Sequence, residues 1–212
     1  MVHDLIASSG LASGQTVLDF GCAQRPYERL MPTGIQYVGA DLPGNPRADL
    51  SLTAEGLVPL PGATVDAVLS TQVLEHVTEP STYLNECARV LRPGGSLILS
   101  THGIMYYHQD PEDYWRWTSV GLARAVEAAG LRVVEQRGVL GLAAAGIQLV
   151  QEATRWRVPA ALRPAYVLAM QTAIRRADAR QSDAARVMNG LVIAVRAVRP
   201  SLQPTAASLH DN

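Results

Sequence analysis

The apolar positions fall into short continuous runs that end at small or polar residues. TVLDF (16–20) runs into Gly21 and reads as a buried strand. IQYVGAD (35–41) is a second, closed off by Pro43, Gly44 and Pro46. ADLSL (48–52) is a short third, and DAVLSTQ (66–72), after a turn at 59–65, is a fourth. SLILST (96–101), LRVVEQRG (131–138) and GLVIAVRAV (190–198) follow. Between these runs the period becomes helical. Residues 25–31 suit a short helix. PSTYLNECARVLRP (80–93) sets Leu84, Cys87, Ala88 and Leu91 on one face, with Pro80 to start it and Pro93-Gly94-Gly95 to stop it. SVGLARAVEAAG (119–130) has Ser119 as its expected cap and Gly130 as its stop. Residues 142–186 look mostly helical, with breaks near Pro159 and Pro164, and the tail from Pro200 is polar. Strands that alternate with helices predict an α/β fold with a largely parallel sheet and helices on both faces.

Composition narrows the picture only a little. The 212 residues suit one domain with a sizeable core, so 1–212 is expected to be a single unit. Apolar residues make up 48% and the net charge is −1, with no basic stripe, so no nucleic-acid surface is expected. No run is long enough to span a bilayer, and the N-terminus lacks the pattern of a secretory signal, so a cytoplasmic location is expected. Cys22 and Cys87 make neither a disulfide framework nor a metal cluster.

Ligands of such sheets sit outside the carboxyl ends of the strands. The residues there are Asp19 to Arg25, Asp41-Leu42, Asp49-Leu50, Ser70 to His76 and Thr101 to Trp117. The small residues after Phe20 let backbone approach a ligand closely. Asp41, 20 residues beyond Gly21, is placed to accept hydrogen bonds from a ribose diol. A pyrophosphate would be repelled by Asp19. A ligand with a ribose, an ammonium and no phosphate fits both acids, and S-adenosylmethionine has that chemistry.

VLDFGC (17–22), YVGAD (37–41), ADLSL (48–52), VDAVLSTQVLEHV (65–77) and RVLRPGGSLILST (89–101) together resemble a class I S-adenosylmethionine-dependent methyltransferase of the type 11 family. The resemblance spans about residues 14–138 and implies a Rossmann-like sheet of seven strands, the last antiparallel. It implies that Asp19 holds the methionine ammonium and that Gly21 and Ala23 line methionine and ribose. Asp41 would bind the ribose hydroxyls, with Leu42 against the adenine. Asp49 would accept from the adenine amino group beside Leu50, and Thr71 and Gln72 would close the pocket under the sulfonium. The sequence departs from the family at Arg25, where a third loop glycine is usual.

The acceptor end is expected in the cap loop 102–118. Tyr106, Tyr107, Tyr114, Trp115 and Trp117 suit the apolar faces and hydroxyl rim of a sugar, or a lid packed on itself. Similar THG…DYWRWT stretches occur in small sugar O-methyltransferases, among them mannoside O-methyltransferases of methylmannose polysaccharide synthesis. The expected activity is therefore methyl transfer to a sugar or oligosaccharide hydroxyl. A phenol, an amine or a lipid-like acceptor is the alternative, as is cofactor binding without catalysis. The candidate bases are His102, His108, Asp110 and Asp113, with His102 first because it leaves a strand directly. These groups could instead orient Mg²⁺. Glu75 and His76 are read as residues of local structure, and the segment 142–186 as a wall of the acceptor pocket or a homodimer contact.

Overall fold

The computed structural model describes residues 1–109 and 112–201. Seven strands form one sheet: β1 (Thr16–Phe20), β2 (Gln36–Asp41), β3 (Leu50–Ser51), β4 (Val65–Thr71), β5 (Leu91–His102), β6 (Arg132–Val139) and β7 (Val192–Val198). Their order is β3-β2-β1-β4-β5-β7-β6. The pairs among β1 to β5 are parallel, and β7 runs antiparallel between β5 and β6. This is the expected Rossmann-like sheet with an antiparallel last strand. The strand order reverses between β1 and β4, which opens a crevice at their carboxyl ends.

The central strands are covered on both sides, which explains why they read as continuous apolar runs. Alternate residues serve opposite faces. Leu18, Phe20, Val68, Leu97 and Leu99 join one core cluster, and Val17, Ala67, Leu69 and Ile98 join the other. Helix α2 (Pro80–Val90) packs on the first face through Leu84, Cys87 and Val90. Helix α3 (Ser119–Ala128) adds Leu122 and Val126 to it. The second face carries α1 (Val2–Ser8), whose Leu5 and Ile6 are buried there.

Several local expectations change. Helix α1 lies in a segment with no such expectation, because its apolar stripe is only two residues wide. Residues 25–31 give a single 3-10 turn at Glu28–Leu30, since Arg25 takes a left-handed φ of 58° and Pro26 follows it. Helix α2 stops at Val90, and the chain passes straight into β5, because Leu91 pairs with Val65 ahead of the Pro93-Gly94-Gly95 turn. Thr118 caps α3, its hydroxyl accepting from the Gly121 N–H at 3.0 Å, in place of Ser119, which is buried. Between β6 and β7 stand α4 (Leu142–Thr154), α5 (Arg163–Ala179) and α6 (Asp183–Asn189); Pro159 lies in the first break, Pro164 opens α5, and a second, unexpected break at 180–182 holds no proline.

Candidate active site

A cavity of about 750 Å³ opens at the crevice beside β1 and β4, a size usual for small-molecule sites. Gly21, Ala23, Asp41 and Leu42 line one end, Gln72 the middle, and His102, His108 and Tyr106 the other end. Asp19, Asp49, Leu50 and Thr71 stand behind this wall and do not line it. No residue of 142–186 reaches it either, so that segment does not wall the pocket.

The turn after β1 is shaped by a glycine that nothing else could replace. Gly21 has φ +85°, and a Cβ there would lie 2.5 Å from Cγ2 of Val73. Its N–H and that of Cys22 both donate to the Ala40 carbonyl, at 2.8 and 3.2 Å. The Ala23 N–H donates to Oδ2 of Asp41 at 2.9 Å. All three turn donors are thus engaged within the protein, and the turn is no phosphate cradle. Ala23 and Arg25 both take left-handed backbone, with φ 44° and 58°. Arg25 thus stands in the conformation that the usual glycine would adopt, at a cost of about 1–2 kcal/mol. Its guanidinium offsets that cost by tying three segments together. It donates to both oxygens of Glu28, to the Arg47 carbonyl, and to Oδ2 of Asp49 at 2.6 Å. It also lies over the Tyr37 ring, 5.1 Å from its centroid. Asp49 accepts from the Gly39 N–H as well, at 2.8 Å, so its carboxylate braces β2 where an adenine contact had been expected.

The two other acids differ sharply. Asp41 accepts from the Leu42 N–H through Oδ1 and from Ala23 and Asn45 through Oδ2, and still has lone pairs to offer the cavity. Asp19 is 1% exposed. Tyr37 donates its hydroxyl to Asp19 Oδ2, while Oδ1 has no partner within the protein. Burial pushes this carboxyl up to about 6, an effect that Tyr37 opposes and nearby Asp41 adds to. A buried acid with one oxygen unsatisfied suits a cationic ligand group at the turn. Cys22 is buried, and its thiol is pushed up to about 11 mainly by desolvation, which makes it a packing residue and no nucleophile.

At the acceptor end three imidazoles face one another. The ring centroids of His76, His102 and His108 are 6.1 to 6.3 Å apart, and all three line the cavity. His76 shares a hydrogen bond between Nδ1 and the Glu112 carbonyl. His102 is 4% exposed, and its pKa is lowered to about 4, first by burial and then by Arg116. It is a neutral imidazole at physiological pH. Among the described residues, no group of three or more His, Cys, Asp or Glu is arranged to hold a metal ion, and nothing here supports Mg²⁺.

The cap loop is largely internal framework. Arg116 donates to the Met105 and Tyr106 carbonyls and to both oxygens of Asp113. That clamp holds Asp113 down at about 2 and off the cavity, so Asp113 is a brace and not a base. Asp110 lies outside the described residues. The Trp115 indole donates to the Val77 carbonyl at 2.7 Å, and Trp117 packs on the first core cluster. Tyr107 and Tyr114 are exposed. Of the five aromatics expected at the acceptor, Tyr106 alone lines the cavity. Sequence reasoning missed Tyr37 and Tyr83. Tyr83 supports the cavity floor, its hydroxyl 2.9 Å from Ser70 and donating to the Phe20 carbonyl. Its place on the buried face of α2 beside Leu84 was the available signal.

Known proteins share this architecture. Residues 18–99 match the family model for a methyltransferase domain. A protein of Mycolicibacterium smegmatis described as a "Probable S-adenosylmethionine-dependent methyltransferase" is 33% identical over 100 residues, 44% of this chain and 39% of that one. A ubiquinone biosynthesis O-methyltransferase of Dinoroseobacter shibae is 30% identical over 167 residues, 60% of this chain and 64% of that one. The chain thus spans 39% and 64% of the length of these two curated relatives. The crystal structure of a SAM-dependent methyltransferase from Aquifex aeolicus superposes with a TM-score of 0.56 at 16% identity, covering 93% of this chain and 89% of that one. That likeness speaks for the fold alone. Residues 18–99 thus match a methyltransferase domain, and the sheet built around them has the seven-stranded fold of solved methyltransferases.

Proposed function

We propose that the chain is an S-adenosylmethionine-dependent O-methyltransferase whose acceptor is a phenolic hydroxyl on an apolar ring system. The observation that carries this is one continuous cavity. It joins the Gly21–Asp41 end, where the turn N–H groups are spent and a phosphate would find no donors, to a neutral His102 at the other. Asp19, behind the cavity wall, is the group that holds the methionine ammonium through water, Asp41 the one for the ribose hydroxyls, and Leu42, Leu52 and Leu57 those for the adenine faces. Bound there, the cofactor supplies a sulfonium methyl open to in-line displacement. The protein's contribution is chiefly alignment, which is worth up to about 7–11 kcal/mol. His102 takes the acceptor's hydroxyl proton, an effect of about 10²–10⁴-fold.

Two features favour a phenol over a sugar. His102 is a weak base, with a conjugate acid near 4. A phenol, of pKa about 10, surrenders its proton far more readily than a sugar hydroxyl. The acceptor end also carries Met105, Val77 and Tyr106, while Tyr107, Tyr114, Trp115 and Trp117 do not line it and give no stacking platform there. The relative from Dinoroseobacter shibae, named for O-methylation in ubiquinone biosynthesis, agrees with this choice. The loop 102–118 roofs the acceptor end in this reading, and the helices between β6 and β7 stand apart from it. The test is a panel of phenols, catechols and hexosides, with S-adenosylhomocysteine release as the readout. Turnover of phenols is expected. Turnover confined to hexosides would return the acceptor class to sugars.

A further inference from the structure

We propose that the α4–α5 hairpin is a docking surface for an anionic lipid bilayer, with the exposed face of α5 and the turn before it lying in the headgroup layer. This is independent of the acceptor's identity. The two helices pack on each other, and part of their seam is polar. The Gln171 amide donates to Gln151 Oε1 at 3.1 Å and to Gln148 Oε1 at 3.4 Å, and the Thr154 and Tyr166 hydroxyls share a hydrogen bond. Gln151 is buried, and in α5 Ile174 alone is buried. A solvated hairpin turns its large apolar side chains inward. Here Leu142, Val150, Trp156, Leu162 and Leu168 are between 54% and 67% exposed.

Charge decides what covers this face. Residues 153–177 carry Arg155, Arg157, Arg163, Arg175 and Arg176 and no acid, in a chain whose net charge is −1. VPAAL (158–162), between the helices, has no polar side chain and is flanked by Arg157 and Arg163. Arg155 and Arg163 lie over the Trp156 ring, 4.6 and 4.9 Å from its centroid. On α5, Ala165, Leu168, Ala169, Arg175 and Arg176 share the exposed side. Apolar groups set among cations are what an interfacial helix presents to acyl chains and lipid phosphates. A second copy of the chain suits this face poorly. A twofold contact meets itself, and these arginines would face one another with no acid between them. A nucleic acid would use the arginines but neither Leu162 nor Leu168, and the Trp156 ring is already engaged by two guanidiniums. Apolar residues scattered singly need no partner, but Trp156, Leu162 and Leu168 fall within one acid-free segment.

Co-sedimentation of the full chain with vesicles makes the test, using phosphatidylcholine alone or mixed with phosphatidylglycerol. The protein should pellet with the mixed vesicles, stay in solution with phosphatidylcholine alone, and be released by high salt. Indole emission should shift to the blue on binding, and Trp156→Phe should abolish the shift, since Trp115 and Trp117 belong to the cap loop. Arg175→Gln combined with Arg176→Gln should weaken binding about 30-fold, at about fivefold for each cation lost from an anionic surface. Leu162→Ser combined with Leu168→Ser should weaken it as well. All five residues are exposed, so thermal unfolding of these variants should match the wild type. Failure of the wild type to bind the mixed vesicles overturns the proposal whatever the variants do, and so does binding that every variant retains. A dimer in sedimentation velocity that the double serine variant dissociates, with no pelleting, would give the face to a second copy. Capture of RNA without capture of vesicles would give it to a nucleic acid.

Discussion

Asp19→Asn separates what the fold needs from what the ligand needs. Burial raises Asp19 from 3.8 to about 6. The folded chain therefore holds this proton more tightly than the unfolded chain does. The stabilising contribution is full below pH 3.8 and is lost as pH rises through about 6. At pH 8 the ionised carboxylate costs the fold about 3 kcal/mol, taking about 1.4 kcal/mol for each tenfold change in proton affinity. Asparagine has nearly the same shape, can still accept from Tyr37, and carries no charge. The stability difference between variant and wild type should be near zero at pH 4. By pH 8 it should favour the variant by about 3 kcal/mol, or about 6–12 °C in Tm for a chain of this size. The same variant should bind S-adenosylmethionine about 10–100-fold more weakly at pH 8, the worth of one charge-assisted hydrogen bond. Urea titrations at both pH values and calorimetry with the cofactor make the test. Parallel pH profiles for the two proteins, or undiminished affinity in the variant, would refute the reasoning.

Three further outcomes follow from the same geometry. Because Asp19 titrates near 6 and His102 near 4, kcat/KM for the cofactor should fall as pH drops through about 6, while kcat at saturation holds until about 4; a pH–rate series for both constants checks the separation. His102→Ala should lower kcat about 10²–10⁴-fold with cofactor affinity intact, whereas His108→Ala should act mainly on acceptor KM, and steady-state kinetics of the two variants decides between them. Gly21→Ala should lose about 1–2 kcal/mol to its left-handed backbone and about 1–3 kcal/mol more to displacing Val73, read as a drop in the urea midpoint.

What the sequence made legible was local. Each strand announced itself by an apolar run, and each strand end by the small or acidic residue that follows, so the local pattern alone was enough to place Gly21, Asp41 and His102 at strand ends. Even the two-residue β3 showed through ADLSL. What stayed hidden depends on contacts between segments far apart in the chain. Arg25 reads as a defect in a glycine loop until its guanidinium is seen on Asp49, a pairing that ties the turn to the segment after β2. Asp19 looks ready to meet a cation, but only the Tyr37 hydroxyl and the unsatisfied Oδ1 explain how it is held. The aromatic loop has the composition of a sugar platform. The Trp115 indole N–H instead donates to the Val77 carbonyl, and the Trp117 ring packs on the core. The helices before β7 were visible as helices, but nothing local told on which side of the sheet edge they would stand.

The central claim is methyl transfer from S-adenosylmethionine to a phenolic oxygen, and one mass-spectrometric experiment addresses it. The protein is incubated with methyl-deuterated cofactor and a panel of phenols, catechols and hexosides, with His102→Ala alongside. The account predicts a phenol carrying the deuterated methyl on oxygen, S-adenosylhomocysteine in equal amount, and both much reduced in the variant. Tight cofactor binding with no labelled product from any acceptor would contradict it and leave a binding protein in place of an enzyme.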